Sequence, residues 1–471
     1  TAGLDVEMPY RMRRAGDLAH ALERNEASWD DVDRSVTRLL ATLLRFHDVL
    51  ASPRPDVSVL ACGEHRALAR EAAAKSVVLL RNEQVDGAPV LPLDPTSVGR
   101  LAVVGPLATM RNLGDGGSSD VWTPTVVTVA DGLGAALGSA NLVVVDGVDI
   151  EASATAAADC DVALVVVGYT RADEGEYIGG GETAHLAELF PGPDDPALAD
   201  HFAATAAVNP GPGPPSNGPG PEPFGFSPGG DRRSLRLHVH DETLIRAVAA
   251  ANPRTVVAVV AGSAVIVSAW VQQVPAVVQS WYAGMEGGHG LADVLLGTVD
   301  AGGHLPFTVP ADEHQLPSFA PEATAVTYDA WHGWWFLERQ GVEPAFPFGF
   351  GLSYTTFDSG EFAVTVDGDE LVVRGTVRNT GRRPGTDLVQ VYGGHPIWAE
   401  SGRRPRRLLG FARLEIAAGH DADVVVRIPL GHLAVRDSEH RSWGVEPGTY
   451  HLAVGRHVAD PAAHHLSVDV V

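Results

Sequence analysis

A chain of 471 residues, 45% hydrophobic and 20% charged, carries enough apolar surface for more than one core. At roughly 100–200 residues per domain it is expected to hold about three domains, which excludes a single small module. A net charge of −25, with no Lys/Arg cluster following an aromatic ladder, argues against nucleic acid, and no apolar run approaches the ~20 residues of a membrane span. Two cysteines, Cys62 and Cys160, exclude a disulfide framework and a thiolate metal cage, and their small or apolar neighbours predict buried free thiols.

Thr1 opens inside a patterned segment, TAGLDVEMPY, without signal-peptide grammar, and sequence is expected upstream of it. From Asp17 to Leu50 apolar residues recur at helical spacing (Leu18, Leu22, then Val32, Val36, Leu39, Leu40, Leu43), with Ser28 placed to cap a second helix. Pro53 and Pro55 break that pattern. Beyond them, predicted helices at Glu64 to Arg81, Ala130 to Leu137, Leu244 to Ala251 and Gly288 to Leu296 alternate with Val-rich runs beginning at Leu101, Leu142, Asp161, Thr255 and Ala276. Unbroken apolar strands separated by helices predict a mostly parallel sheet covered on both faces, a doubly wound α/β domain. The Pro/Gly-dense stretch at about residues 190–230 cannot continue that sheet and reads as a long surface loop or lid. After Tyr354 the texture changes to period-2 runs (EFAVTV, ELVVRGTVRNT, DLVQVYG, RLEIAA, DVVVRIPL, TYHLAVG), predicting a fibronectin type III-like or immunoglobulin-like β-sandwich.

Ligands of an open α/β sheet bind beyond the carboxyl ends of its strands, so the residues after each apolar run are the place to look. DVALVVVG runs directly into YTRADEGEYIGGGE, which puts Asp173, Glu174, Glu176 and Glu182 with Tyr169 and Tyr177 on one glycine-loosened loop. Clustered carboxylates raise one another's pKa, as a general acid requires, although the same composition also fits a solvated acidic loop. GDGGSSD at Gly114 to Asp120 lacks both the Lys-Ser/Thr of a phosphate loop and GxGxxG spacing. Trp122, Trp281 and Tyr282 fall near strand ends, where a flat ring serves either sugar stacking or plain packing. The histidines are scattered, His238 and His240 stand at an i, i+2 spacing that does not read as a metal site, and the tail pair His464 and His465 reads as exposed surface. No GxSxG elbow is present.

Several segments together resemble glycoside hydrolase family 3 in its β-glucosidase-like branch. They are AGLDVEMP at Ala2 to Pro9, AAAKSVVLLRNE at Ala72 to Glu83 with LPL at Leu91, LAVVGP followed by GDGGSSD, and EGEY at Glu174 to Tyr177. The series continues through GDRRSLRL at Gly230, WYAGMEGGHGLADVLLG from Trp281, HLPFTVP from His304 and FPFGFGLSYTTF at Phe346 to Phe357.

The resemblance implies a barrel bearing an Asp nucleophile, an α/β sandwich bearing a Glu acid/base, and a fibronectin-like C-terminal domain. On that plan residues 1–55 are the end of the barrel and a linker, 56–325 the α/β sandwich, 326–354 a linker and 355–471 the fibronectin type III-like domain. Because AGLDVEMP follows the nucleophile in the family, the resemblance places no nucleophile in this chain, and residues 1–471 alone are expected to be inactive. The acid/base is carried onto Glu176, with Glu174 as second choice since Tyr177 stands where Gly is commoner. Substrate contacts fall to Tyr177, Trp122, Ser118 and Ser119, and the pair Asp231 and Arg232 is expected to anchor the acid/base loop. Glu286, opening a helix in GMEGG, is expected to serve the helix dipole, and the Pro/Gly insert either shapes the aglycone subsites or is an inert linker. The implied activity is retaining hydrolysis of β-glucosides or short oligosaccharides without cofactor or metal, with homo-oligomer formation left open. The alternatives are a β-xylosidase or α-L-arabinofuranosidase of the same family, or a noncatalytic carbohydrate-binding or interaction module.

Overall fold

The computed structural model describes residues 4–6, 13–114, 123–175, 230, 232–318, 320, 323–400 and 405–471. The chain divides into two compact units, one of residues 1–62, 115–120 and 171–231, the other of residues 63–114, 121–170 and 232–471.

In the first unit, helices span Arg13–Glu23, Trp29–Arg45 and His47–Ala51. Ser28 caps the second as predicted: its side chain accepts from the Asp31 N–H while the Asp31 carboxylate reaches back to the Ser28 N–H, satisfying two donors that the first helical turn leaves open.

The second unit opens with the helix Gly63–Ser76 and a six-stranded sheet. In chain order come β1 (Val78–Asn82), a small hairpin of β2 (Gln84–Val85) and β3 (Ala88–Pro89), then β4 (Leu101–Val104), β5 (Leu142–Val145), β6 (Val162–Gly168), β7 (Thr255–Val260) and β8 (Ala276–Gln279). The sheet order is β1-β8-β7-β6-β4-β5, with β4 to β8 mutually parallel and β1 antiparallel to β8. Along β6, Val162, Leu164 and Val166 enter one core with Leu133 and Leu291, while Ala163, Val165 and Val167 enter another with Leu244, Ile245 and Trp270. Both faces are buried, which is why this strand reads as an unbroken apolar run.

The expected helix Glu64 to Arg81 is corrected here: it ends at Ser76, and Val78–Asn82 is an edge strand, because four successive apolar residues from Val77 to Leu80 are all buried and no helical stripe is that wide. The helix expected from Leu244 starts at Val239, and Ile150–Ala158 is a further helix, its alanines giving a weak apolar period. Both cysteines are free but only half-buried, against the buried state expected of them.

The remaining strands are β9 (Phe357–Ser359), β10 (Ala363–Asp367), β11 (Glu370–Asn379), β12 (Gly385–Gly394), β13 (Arg407–Ile416), β14 (Asp421–Pro429), β15 (Val435–Asp437), β16 (Ser442–Gly444), β17 (Gly448–Gly455) and β18 (His464–Val470). They form two antiparallel sheets, β10-β11-β14 with β9 on β11, and β13-β12-β17-β18, around a core that includes Leu371, Val391, Trp398 and Tyr450, plus the hairpin β15-β16. His464 is not plain surface: within β18 its ring packs on Phe362 at 5.1 Å, while His465 is exposed. The span 326–354 contains the helix Gly333–Gln340, whose Trp334 is buried against Tyr392 and Phe348.

Candidate active site

β4 leads outward to β5, whereas β6 returns to the other side of β4 and continues to β7 and β8. The order therefore reverses between β4 and β6, and the loops leaving their carboxyl ends diverge there, the arrangement that opens a ligand crevice in doubly wound sheets. One loop leads from Gly105 to GDGGSSD and the other from Tyr169 into the acidic run, so both expected site segments issue from the same switch point. Asn112 ties the two together, its Nδ2 donating to the Tyr169 carbonyl at 2.9 Å.

The root of the acidic loop is rigid. Gly168 has φ +144, and a Cβ there would lie 1.9 Å from the Val260 carbonyl oxygen, so only glycine lets β6 turn at this point. Tyr169, grouped in sequence with the acidic residues, is instead buried. Its hydroxyl donates to the Arg236 carbonyl at 2.5 Å and its N–H to the Val260 carbonyl at 2.8 Å. The Arg232 guanidinium lies over the Tyr169 ring at 4.3 Å, and its Nη2 donates to the Ala264 carbonyl at 3.1 Å and to Ser263 Oγ. Arg232 thus fixes the strand ends to one another.

The short helix Arg171–Glu174 follows, carrying Asp173 and Glu174. The Arg171 carbonyl accepts from Gly175 N at 3.1 Å and from Gly230 N at 2.9 Å, so the chain that departs at Gly175 returns at the same turn, one residue before Asp231. Glu176, Tyr177, Ser118, Ser119, Trp122 and Asp231, like the Pro/Gly insert, lie outside the described residues.

Between the ends of β4, β7 and β8, a crevice of about 50 Å³ is lined by Met110, Asn112, Ser280 and Trp281 among others; it admits a water molecule or two and no sugar ring. Trp281 serves packing: its indole N–H donates to the Ser76 carbonyl at 2.7 Å and its ring meets Phe307 edge-on at 5.6 Å. Tyr282 packs against the core that holds Leu133 and Leu291. His240 is bonded through Nε2 to the Gly147 carbonyl at 2.8 Å, and among the described residues no group of three or more His, Cys, Asp and Glu could hold a metal ion.

Glu286 does more than face a dipole. It precedes the helix Gly287–Leu295 with its side chain 4% exposed, and its carboxylate takes Arg66 Nε at 2.6 Å and His289 Nδ1 at 2.6 Å. Burial pushes this carboxyl up, but the hydrogen bonds from His289 and Arg66 outweigh it and hold the group below its ordinary value. A lowered folded-state pKa contributes stability that is present above the unfolded value of 4.5 and lost as the pH falls through the folded one. Glu286→Gln should therefore cost about 2 kcal/mol near neutral pH, the partly exposed Arg66 limiting the loss. In urea titrations the gap to the parent chain should narrow below pH 4.5; a gap independent of pH would contradict the assignment.

A mostly parallel sheet with its switch point at β4 and β6, together with an antiparallel sandwich, defines an α/β plus all-β protein whose candidate site lies, among the described residues, on loops at the strand ends. Residues 77–354 match the profile of the glycosyl hydrolase family 3 C-terminal domain and residues 387–458 that of the fibronectin type III-like domain, and the chain belongs to glycosyl hydrolase family 3. It is 30% identical to a beta-glucosidase of Rhizobium radiobacter over 100% of this chain and 71% of that one. With beta-glucosidase BoGH3A of Bacteroides ovatus it shares 29% over 91% of this chain, and with a beta-xylosidase of Formosa agariphila 26% over 93%. The chain spans 54% and 55% of the length of these last two. Among solved structures it resembles a GH3 beta-glucosidase of Bifidobacterium adolescentis, with a TM-score of 0.74 at 24% identity covering 100% of this chain and 62% of that one. It also resembles DesR, a beta-glucosidase of Streptomyces venezuelae in complex with D-glucose, with a TM-score of 0.75 at 21% identity covering 100% and 70%. At these identities the structural likeness carries the fold.

Proposed function

We propose that this chain is part of a retaining β-glycosidase that releases glucose from the non-reducing end of β-glucosides or short oligosaccharides, with Glu176 as acid/base. The observation that carries the reading is the emergence of Asp173-Glu174-Gly175-Glu176-Tyr177 from the carboxyl end of β6 at the switch point, on a root held by Asn112, Tyr169 and Arg232. In a retaining enzyme two carboxyl groups stand about 5–5.5 Å apart, one attacking the anomeric carbon while the other protonates the leaving oxygen and later deprotonates water. Residues 1–471 supply the second; the attacking Asp belongs to polypeptide outside them.

Tyr177, Trp122, Ser118 and Ser119 contact the substrate, and Asp231 with Arg232 holds the returning end of the acid/base loop. Glucose as the sugar follows the beta-glucosidases among the relatives; the beta-xylosidase relative keeps a pentoside as the second reading. The test is release of p-nitrophenol from β-glucoside, β-xyloside and α-arabinofuranoside by residues 1–471 and by the whole polypeptide its gene encodes. Hydrolysis of the β-glucoside by the whole polypeptide alone is the expected outcome. Hydrolysis by residues 1–471 would contradict the division of carboxylates, and a preference for the xyloside would replace the sugar.

A further inference from the structure

We propose that the junction between the α/β and fibronectin type III-like domains is a pH-sensitive clasp, opened when His304 and His457 take up protons. The clasp closes on one carbonyl. Gly349, in the strap Phe346 to Gly351 that joins the domains, accepts at its oxygen from His304 Nδ1 at 2.6 Å on the α/β side and from Gln390 Nε2 at 3.0 Å on β12. Gln390 also donates to the Arg456 carbonyl and accepts from the Tyr392 hydroxyl at 2.5 Å. Gly349 has φ +83, and a Cβ there would lie 2.3 Å from Gln390 Oε1, so the strap fits the clasp only with glycine. Backbone bonds extend it on both sides: Leu305 N to the Phe350 carbonyl at 2.8 Å, Gly349 N to the Leu305 carbonyl at 2.9 Å, and Val458 N to the Phe348 carbonyl at 3.0 Å.

A carbonyl can only accept, so the neutral His304 ring carries its proton on Nδ1, and further protonation must occur at Nε2. The charged groups facing that ring are His457, Arg456 and Arg413, all cationic or able to become so. His457, stacked obliquely on Phe350 at 5.7 Å, has a buried Nδ1 without a hydrogen-bond partner and faces Arg456 and Asp460. Asp460 is already engaged by Arg456 N at 2.8 Å and Ala462 N at 2.9 Å, and the nearby Asp387 by Arg456 Nε at 3.2 Å. Burial, reinforced by these cations, outweighs the Gly349 hydrogen bond that favours a charged His304 and the Asp460 carboxylate that favours a charged His457, and holds both histidines below their ordinary value of 6.5. A histidine kept neutral by folding leaves stability intact above its unfolded pKa and loses it as the pH falls below that value. Protonation leaves the His304 Nδ1–H bond to Gly349 in place but buries positive charge at the junction, so two such groups together make the closed clasp costlier than the hydrated, open one.

Hydrogen–deuterium exchange of the parent chain, corrected for the intrinsic pH dependence, should show peptides covering 346–352 and 456–460 exchanging about tenfold faster at about pH 5 than at about pH 7.5, with the β6–β7 core unchanged. His304→Asn, which keeps a donor toward Gly349 without a titrating ring, and His457→Gln should each reduce that difference. Equal protection at both pH values in the parent chain would overturn the proposal, whether or not the variants fold. So would a pH response that survives in the folded double variant.

Discussion

Replacing Glu176 by alanine in the whole polypeptide should slow hydrolysis of glucosides with poor leaving groups by about 10²–10⁴-fold, the range for loss of a general acid. Activated aryl glucosides need little protonation of the leaving oxygen, so their first step should be nearly spared, and added azide should restore turnover by attacking the glycosyl-enzyme without a general base. Glu174→Ala is the control. It removes a carboxylate from the short helix Arg171–Glu174, two residues from Glu176, and should leave the leaving-group dependence unchanged. The opposite pattern, with azide rescue in Glu174→Ala and a silent Glu176→Ala, would exchange their roles.

The second large effect is structural. Asp300 accepts from Ser353 Oγ at 2.7 Å, from Tyr354 N at 2.9 Å and from Thr386 N at 2.7 Å, so one half-buried carboxylate joins the end of the α/β domain to the residues just after the strap and to β12. Tyr354 continues the contact, its hydroxyl donating to the Val294 carbonyl at 3.0 Å. Asp300→Ala strands two backbone N–H groups and a hydroxyl and should cost about 3 kcal/mol. Because the lost bonds cross between domains, calorimetry should show the sandwich and the α/β domain melting separately where the parent chain melts together. A single transition shifted by less than about 0.5 kcal/mol, the usual size of a surface substitution, would show that Asp300 does not couple the domains.

The parts of this fold legible in the sequence are those whose burial leaves a local pattern. β6 and β7 are buried on both faces and read as unbroken Val runs, and β14 and the second half of β11 alternate because one face of their sheet meets the core, whereas β12 is buried almost throughout. β1 was hidden because its apolar residues follow the Ala-rich end of the helix Gly63–Ser76 with no Gly or Pro between. As an antiparallel edge strand it also lacks the helix crossover that marks its parallel neighbours.

The site divides in the same way. The acidic run after β6 stands out in sequence because carboxylates at a strand's end are locally visible. The contacts that fix its root are not: Asn112 and Tyr169 are 57 residues apart, and Arg232 reaches the Tyr169 ring only once β6 and β7 are paired. Tyr169 stands beside the acidic residues in sequence, and its burial and its bond to the Arg236 carbonyl show only in the fold. Glu286 was legible as a helix-start carboxylate, but its partner Arg66 lies 220 residues away on another helix.

In the proposed function, residues 1–471 bring the acid/base carboxyl to a nucleophile held by other polypeptide. The most direct measurement is to incubate the whole polypeptide with a 2-deoxy-2-fluoro-β-glucoside carrying a good leaving group, digest it, and locate the trapped sugar by mass spectrometry. The expected result is a covalent glycosyl ester on an Asp outside residues 1–471, formed with one equivalent of released leaving group. A label within residues 1–471, or turnover with no covalent intermediate, would contradict it.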